Sequence, residues 1–230
     1  MAVIVLRMKL QPKDDEGMRR VAEVVRGGGL IVYPTDTVYG IGCNPFNKLA
    51  LERIRLLKGG EGKAFPVLVS SIAVARTLVT VERVSELLME AFWPGALTLV
   101  LKEQDGTPSL LSHGTGKVGA RMPRHELALR IIGSSGGALV GTSANMSGMP
   151  PARSVDELDP RIEEGVDLVI DGGPTELGVA STVVEVQQAT GEAPRVDARI
   201  KVLREGALGI DVIKRRAKVW RMEGIKVDIV

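Results

Sequence analysis

Leu30–Gly42 reads LIVYPTDTVYGIG, and the fold turns on how this stretch is taken. An apolar run, Leu30, Ile31, Val32 and Tyr33, stops at Pro34. Proline cannot donate a ladder hydrogen bond, so a strand is expected to end there. Thr35, Asp36, Thr37 and Tyr39 then place hydroxyls and a carboxylate in quick succession, and Gly40 and Gly42 follow. A buried strand running into a polar, glycine-flanked loop is where α/β proteins hold ligands. A surface turn rich in Thr and Asp has the same local composition, so the choice depends on the chain to either side.

Upstream, Asp14 is placed to cap a helix through Arg26, with Asp15 and Glu16 in its first turn and Val21, Val24 and Val25 on one stripe. Ala2–Met8 before it reads as a short strand, and Gly27–Gly29 stop the helix. Downstream, Asn47 is an N-cap for a helix in which Leu51, Ile54 and Leu57 share a face, ending at Gly59–Gly60. Further strands are expected at Pro66–Val69, Ala96–Leu101, Val118–Met122, Ala138–Thr142, Val166–Ile170, Ser181–Val186 and Ile200–Leu203. Helical patterns cover Ile72–Leu78, Arg83–Ala91 and His125–Ile132, and Lys102–Gly116 reads as a loop. Helices are missing between several of the late strands. The expected fold class is therefore α/β, with a twisted mixed sheet of parallel and antiparallel pairs and flanking helices in a single domain. Residues 1–208 form its main body. Residues 209–230 are expected to be a basic appendage of the same domain, since Asp211–Val230 carries six basic and three acidic side chains.

Composition narrows the function classes. The chain has 230 residues and is 44% hydrophobic, enough for a sizeable core. Aromatics are only 3%, so Val, Leu, Ile and Ala must build that core. Thirty basic residues against 28 acidic ones give a net charge of +2, too balanced to argue for nucleic-acid binding alone. Cys43 is the single cysteine, which excludes a disulfide framework and a thiolate cluster. MAVIVLRMKL is short for a signal peptide, and no apolar run has membrane-spanning length; a cytoplasmic protein with no membrane partner is expected.

The common catalytic motifs are absent. Gly62–Lys63 and Gly116–Lys117 lack the earlier glycine and the following Ser or Thr of a P-loop. No G-x-G-x-x-G opens a helix. Gly141–Asn145 has Asn where a nucleophile elbow has Gly. His113 and His125 are the only histidines, too few for a histidine-rich metal site. What remains is a set of hydroxyls, amides and cations at element ends: Thr35, Thr37, Lys58, Lys63, Arg121, Thr142, Ser143, Asn145, Ser181, Thr182 and Arg204. Cations suit phosphates, and neutral donors suit the oxygens of an amino acid.

Seven segments in order then resemble one family. Tyr33–Gly40, YPTDTVYG, is similar to the opening motif of the YrdC family, the threonylcarbamoyl-AMP synthases of tRNA modification. Phe92–Thr98 resembles F-W-P-G-P-L-T, Val118–Pro123 resembles V-x-x-R-x-P, and Thr142–Gly148 resembles a segment containing S-A-N-x-S-G. Asp171–Gly173 and Ser181–Val184 match later landmarks, and Leu203–Ala207 looks like L-R-P-G-A with Glu205 for Pro. The resemblance runs from about Met18 to Ala207.

This resemblance implies joining L-threonine, bicarbonate and ATP into threonylcarbamoyl-AMP, with release of pyrophosphate and with Mg²⁺ accompanying ATP. A downstream tRNA threonylcarbamoyl transferase would use the product. Thr37, Arg121 and Ser181 would lie near the threonine, and Thr35, Thr142 and Thr182 are grouped with them. Lys58, Ser143, Asn145 and Arg204 would lie near the ATP, with Lys63 beside them. No protein nucleophile is implied, so the work would be positioning and charge stabilisation. One departure stands out. The family's K-x-R-P is here Lys58–Gly59–Gly60–Glu61, so a phosphate-binding guanidinium is missing, with Lys63, Arg55 or Arg153 as candidate replacements. That loss and the basic C-terminal stretch support an alternative, a non-catalytic module of the same fold in contact with tRNA, double-stranded RNA or ribosomes.

Overall fold

The decisive stretch folds as a hairpin. In the computed structural model, which describes residues 6–59, 64–188 and 197–230, the strand ends at Tyr33, one residue before Pro34. Residues 34–39 form the loop, and Gly40–Gly42 return antiparallel, pairing Tyr33 with Gly40 and Ile31 with Gly42. The returning strand was not foreseen in the sequence. Its glycine spacing has a packing cause: a Cβ on Gly42 would sit 2.6 Å from the Tyr33 ring.

In chain order the elements are β1 (Leu6–Lys9), α1 (Asp15–Arg26), β2 (Ile31–Tyr33), β3 (Gly40–Gly42), α2 (Lys48–Leu57), β4 (Val67–Val69), α3 (Ile72–Leu78), α4 (Arg83–Phe92), β5 (Leu97–Lys102), α5 (Ser109–Ser112) and β6 (Lys117–Arg121). They continue with α6 (Glu126–Ser134), β7 (Ala138–Val140), β8 (Thr142–Ser143), α7 (Pro160–Glu164), β9 (Leu168–Asp171), β10 (Thr182–Gln188), β11 (Ala198–Arg204), α8 (Ile210–Met222) and β12 (Val227–Ile229). The expected caps are in place. Asp14 accepts from Gly17 N at 2.9 Å, and Asn47 accepts from Ala50 N at 3.0 Å.

The α/β expectation holds, with mixed pairing, but the strands divide between two sheets. One has the order β1-β9-β2-β3-β8 and the other β12-β11-β10-β5-β6-β4-β7. The expected loop at Lys102–Gly116 contains α5, opened by Pro108. The β2 residues alternate between two cores. Ile31 and Tyr33 pack with Val21 and Val25 of α1 and Ile131 of α6, while Val32 faces the larger cluster. The last helix is tied into that larger cluster by buried Ile213, Ala217 and Trp220, and β12 adds a parallel edge strand to β11. Among the described residues, no helix is long and apolar enough to cross a membrane.

Candidate active site

The 34–39 loop, the end of α2 and β8 face the seven-stranded sheet across a cavity of about 580 Å³. Strand periodicity selects the sheet wall. Thr98 and Val100 of β5, Lys117, Gly119 and Arg121 of β6, and Ser181, Val183 and Glu185 at and along β10 line the cavity. The residues between them, Leu97, Leu99, Val118, Ala120 and Val184, are buried in the hydrophobic core. Each strand therefore gives one face to the core and the other to the site.

Arg121 anchors one end. Its guanidinium pairs with Asp36, donates through Nη1 to Thr37 Oγ1 at 2.9 Å, and donates through Nε to the Gly95 carbonyl at 2.8 Å. Arg121 is 5% exposed and Asp36 1%, so the pair is sealed from water. Burial lowers the Arg121 pKa; Asp36 opposes that effect, and nearby Arg204 adds to it. The turn at Trp93–Gly95 exists in part to present that carbonyl: Trp93 Nε1 donates to Leu97 O at 2.7 Å, and Gly95 N donates to Met122 O at 2.8 Å. Thr35 holds the loop itself. Its Oγ1 donates to Val38 O at 2.7 Å and accepts from Thr37 N at 3.1 Å. Tyr39 OH donates to Gly173 O at 2.7 Å, which ties the loop to the Asp171–Gly173 segment; burial pushes its pKa up to about 12.

Close by, Thr98 Oγ1 and Ser181 Oγ share a hydrogen bond of 2.8 Å. Arg204 donates through Nη2 to Ser181 O at 2.8 Å and through Nε at 3.2 Å, and partial burial lowers its pKa. The glycine of LREGA makes this approach feasible, because a Cβ on Gly206 would stand 2.2 Å from Ala180 O.

On the α2 side, Lys58 Nζ donates to Ser143 O at 2.7 Å and Asn145 O at 2.8 Å. Ser143 Oγ donates to Asn145 Oδ1 at 2.5 Å. Arg55, one turn earlier, also faces the cavity, with its guanidinium 5.6 Å from the centroid of the Phe65 ring. Lys117 pairs with Glu185 across the sheet wall, and that hydrogen bond holds the Glu185 pKa down.

Of the residues singled out in the sequence, Thr35, Thr37, Lys58, Arg121, Thr142, Ser143, Ser181 and Arg204 converge on this cavity. Asn145 stands behind it and holds Ser143 and Lys58 in place. Thr182 departs from the expectation. Its residue is fully buried, and its hydroxyl donates to Leu208 O while accepting from Gly206 N at 2.8 Å. One position out of phase with Ser181, it braces the 206–208 turn. Lys63, with Gly60–Gly62, lies outside the described residues. Sequence reasoning missed Thr98, Lys117 and Glu185 as lining residues. The signal was present, as polar residues four apart, and so on one strand face, in otherwise apolar strands: Thr98 and Lys102, Lys117 and Arg121, Ser181 and Glu185. Among the described residues, no group of three or more His, Cys, Asp or Glu side chains could hold a metal.

Comparison with known proteins agrees with this geometry. The profile of the Sua5/YciO/YrdC family, which carries the description telomere recombination, matches residues 23–206. The chain belongs to this family. Among its Sua5/YciO/YrdC relatives is a threonylcarbamoyl-AMP synthase of Pyrococcus abyssi, 34% identical over 201 residues, covering 86% of this chain and 56% of the relative. The structure of P. abyssi Sua5 complexed with L-threonine superposes with a TM-score of 0.79 at 30% identity, over 100% of this chain and 63% of that one. Escherichia coli YciO superposes with a TM-score of 0.71 at 29% identity, over 88% of this chain and 94% of YciO. The chain thus spans about three-fifths of the P. abyssi proteins, whereas it covers nearly all of YciO.

Proposed function

We propose that this protein is an L-threonylcarbamoyladenylate synthase, joining L-threonine, bicarbonate and ATP into threonylcarbamoyl-AMP and pyrophosphate. The observation that carries the reading is one cavity holding both kinds of equipment. Arg121, Thr37, Thr98 and Ser181 offer a fixed polar pocket, and Lys58, Ser143 and Arg204 offer donors for phosphates. The chemistry asks for no more from the protein. The threonine amine attacks the bicarbonate carbon, giving a carbamate and water. The carbamate oxygen then attacks the α-phosphorus of ATP, and the bond to the leaving pyrophosphate breaks. Holding these groups in line and stabilising charge on the phosphates supplies the catalysis.

In this reading Thr37, Arg121 and Ser181 contact the amino acid, with Thr35 and Thr142 shaping its pocket. Lys58, Ser143 and Arg204 contact the nucleotide, and Asn145 positions Lys58. Mg²⁺ enters on the ATP phosphates as part of the substrate. A pocket that reads the threonine hydroxyl rejects valine, because its buried polar groups would be left unpaired. The product passes to a tRNA threonylcarbamoyl transferase in the cytoplasm, and the exposed basic residues of α8 offer a contact for the tRNA. The test is pyrophosphate release from ATP with Mg²⁺ and bicarbonate, in the presence of L-threonine, serine, valine or no amino acid. Release that requires threonine supports the synthase. ATP binding without threonine-dependent release would overturn it in favour of a binding module.

A further inference from the structure

The segment after Lys58 carries glycine where the family's motif has an arginine, so the cavity needs another guanidinium if it is to hold a polyphosphate. Of the two described candidates only one is in place. Arg153 lies within ion-pair distance of Glu157, at 3.6 Å, and does not line the cavity. Arg55 does line it. It precedes Lys58 by three residues, so the two side chains leave α2 on the same face.

The setting of Arg55 is that of a cation prepared for a ligand. Its guanidinium lies over Phe65, which is 5% exposed and gives a rigid floor. Its only described hydrogen bond is a long one, from Nη2 to the Leu110 carbonyl at 3.3 Å. Its Nε is buried with no acceptor. No carboxylate pairs with it among the described residues. An arginine kept for structure alone would be expected to saturate its buried donors, since each one left open costs free energy. Here the ring covers one face of the guanidinium, and Nη1, which makes no described hydrogen bond, is what a ligand can use. A planar fork of N–H groups suits phosphate oxygens.

We propose that Arg55 binds the β- and γ-phosphates of the nucleotide, taking the place of the guanidinium that the Lys58–Gly60 segment lacks. The assignment rests on the nucleotide reading of the cavity. Threonine and the α-phosphate must meet beside Arg121 and Ser181. Arg55 enters from the α2 side with Lys58, where the leaving pyrophosphate would be held.

The test is calorimetric titration of the full chain with ATP and with AMP, for the wild type, R55A and R55K. Wild type is expected to favour ATP over AMP. R55A should weaken ATP binding about tenfold or more, the size of a lost charge-assisted contact, and leave AMP binding within about twofold. R55K should recover only part, because an ammonium keeps the charge but not the fork or the ring contact. An unchanged ATP-to-AMP ratio in R55A overturns the proposal, and so does a parallel loss of both nucleotides, which would mark Arg55 as scaffold. The two readings separate cleanly. Threonine-dependent pyrophosphate release by wild type with an unaltered ratio in R55A removes Arg55 alone. A collapsed ratio without such release supports Arg55 and removes the synthase.

Discussion

Arg121 and Arg204 stand at the same end of one cavity, yet they are held in opposite ways. Arg121 is sealed against Asp36, so its charge is balanced before any ligand arrives. Arg204 is exposed over much of its side chain and donates to the carbonyl and hydroxyl of Ser181, which leaves its charge without a balancing carboxylate among its described hydrogen bonds. Arg55 repeats the second pattern with an aromatic ring and a carbonyl. A balanced guanidinium orients a small ligand through donors fixed in direction. An unbalanced one attracts a polyanion. Burial tells against the charge in both Arg121 and Arg204, but only Arg121 has a carboxylate that offsets the cost within the protein.

Removing the balance should have the largest effect. Asp36→Ala strands a buried guanidinium and should cost about 3–5 kcal/mol of stability, as broken buried pairs do. Asp36→Asn keeps one acceptor and should cost less. Urea unfolding of both variants measures this, and a loss below about 1 kcal/mol in Asp36→Ala would mean that water reaches Arg121 and that the contrast with Arg204 is false. Removing the cations assigned to the phosphates should act on binding instead. Arg204→Ala is expected to weaken ATP binding about tenfold, near 1.4 kcal/mol, with little change in the unfolding midpoint. Lys58→Ala should weaken ATP binding similarly and also cost stability, because Ser143 O and Asn145 O lose their donor. ATP affinity unchanged in both variants would refute the phosphate assignment.

Much of this contrast could be read from the chain. Asp14, Asn47 and Pro34 mark element ends through local chemistry, and the structure places those ends within a residue of the expected positions. The converging hydroxyls and cations were also legible, because a residue at a strand end has few other fates when its neighbours are apolar. What the chain hid is non-local. Nothing near Asp36 announces Arg121, its partner 85 positions later. The division into two sheets depends on which short strands pair, and apolar segments such as Val67–Val69 and Ala138–Val140 fit many neighbours. Thr182 shows the limit of reading by residue type. Beside Ser181 it looks like a second ligand, but the strand pleat turns it toward the 206–208 turn.

That adjacent pair gives a smaller and sharper test. Thr182→Val keeps the shape and removes the hydroxyl that links Gly206 N and Leu208 O. It should cost about 1–2 kcal/mol of stability and leave threonine affinity within about twofold. Ser181→Ala should do the reverse, weakening threonine binding while sparing the midpoint, because its hydroxyl faces the cavity beside Thr98. Equal effects of the two substitutions on threonine binding would show that the pleat does not divide site from scaffold here.

The smallest effect lies behind the Arg121 end, at the start of α6. His125 caps this helix, its Nδ1 accepting from Ala128 N at 3.1 Å. It can do so only when that nitrogen carries no proton. Burial lowers the His125 pKa, while Asp36, Glu176 and Glu126 pull it upward to a lesser extent. With the folded value below the unfolded one of about 6.5, the unfolded chain binds the proton first, so stability contributed here rises with pH and falls as the solution is acidified below about 6.5. The loss levels off once the folded-state imidazole also titrates. Its size should approach that of a lost cap, about 1 kcal/mol. His125→Asn keeps a capping acceptor that does not titrate, so the difference in unfolding free energy between variant and wild type should grow in the variant's favour from pH 7 to pH 5. A difference that stays constant over that range would mean that the proton never competes for the cap, and that the carboxylates near His125 offset its burial.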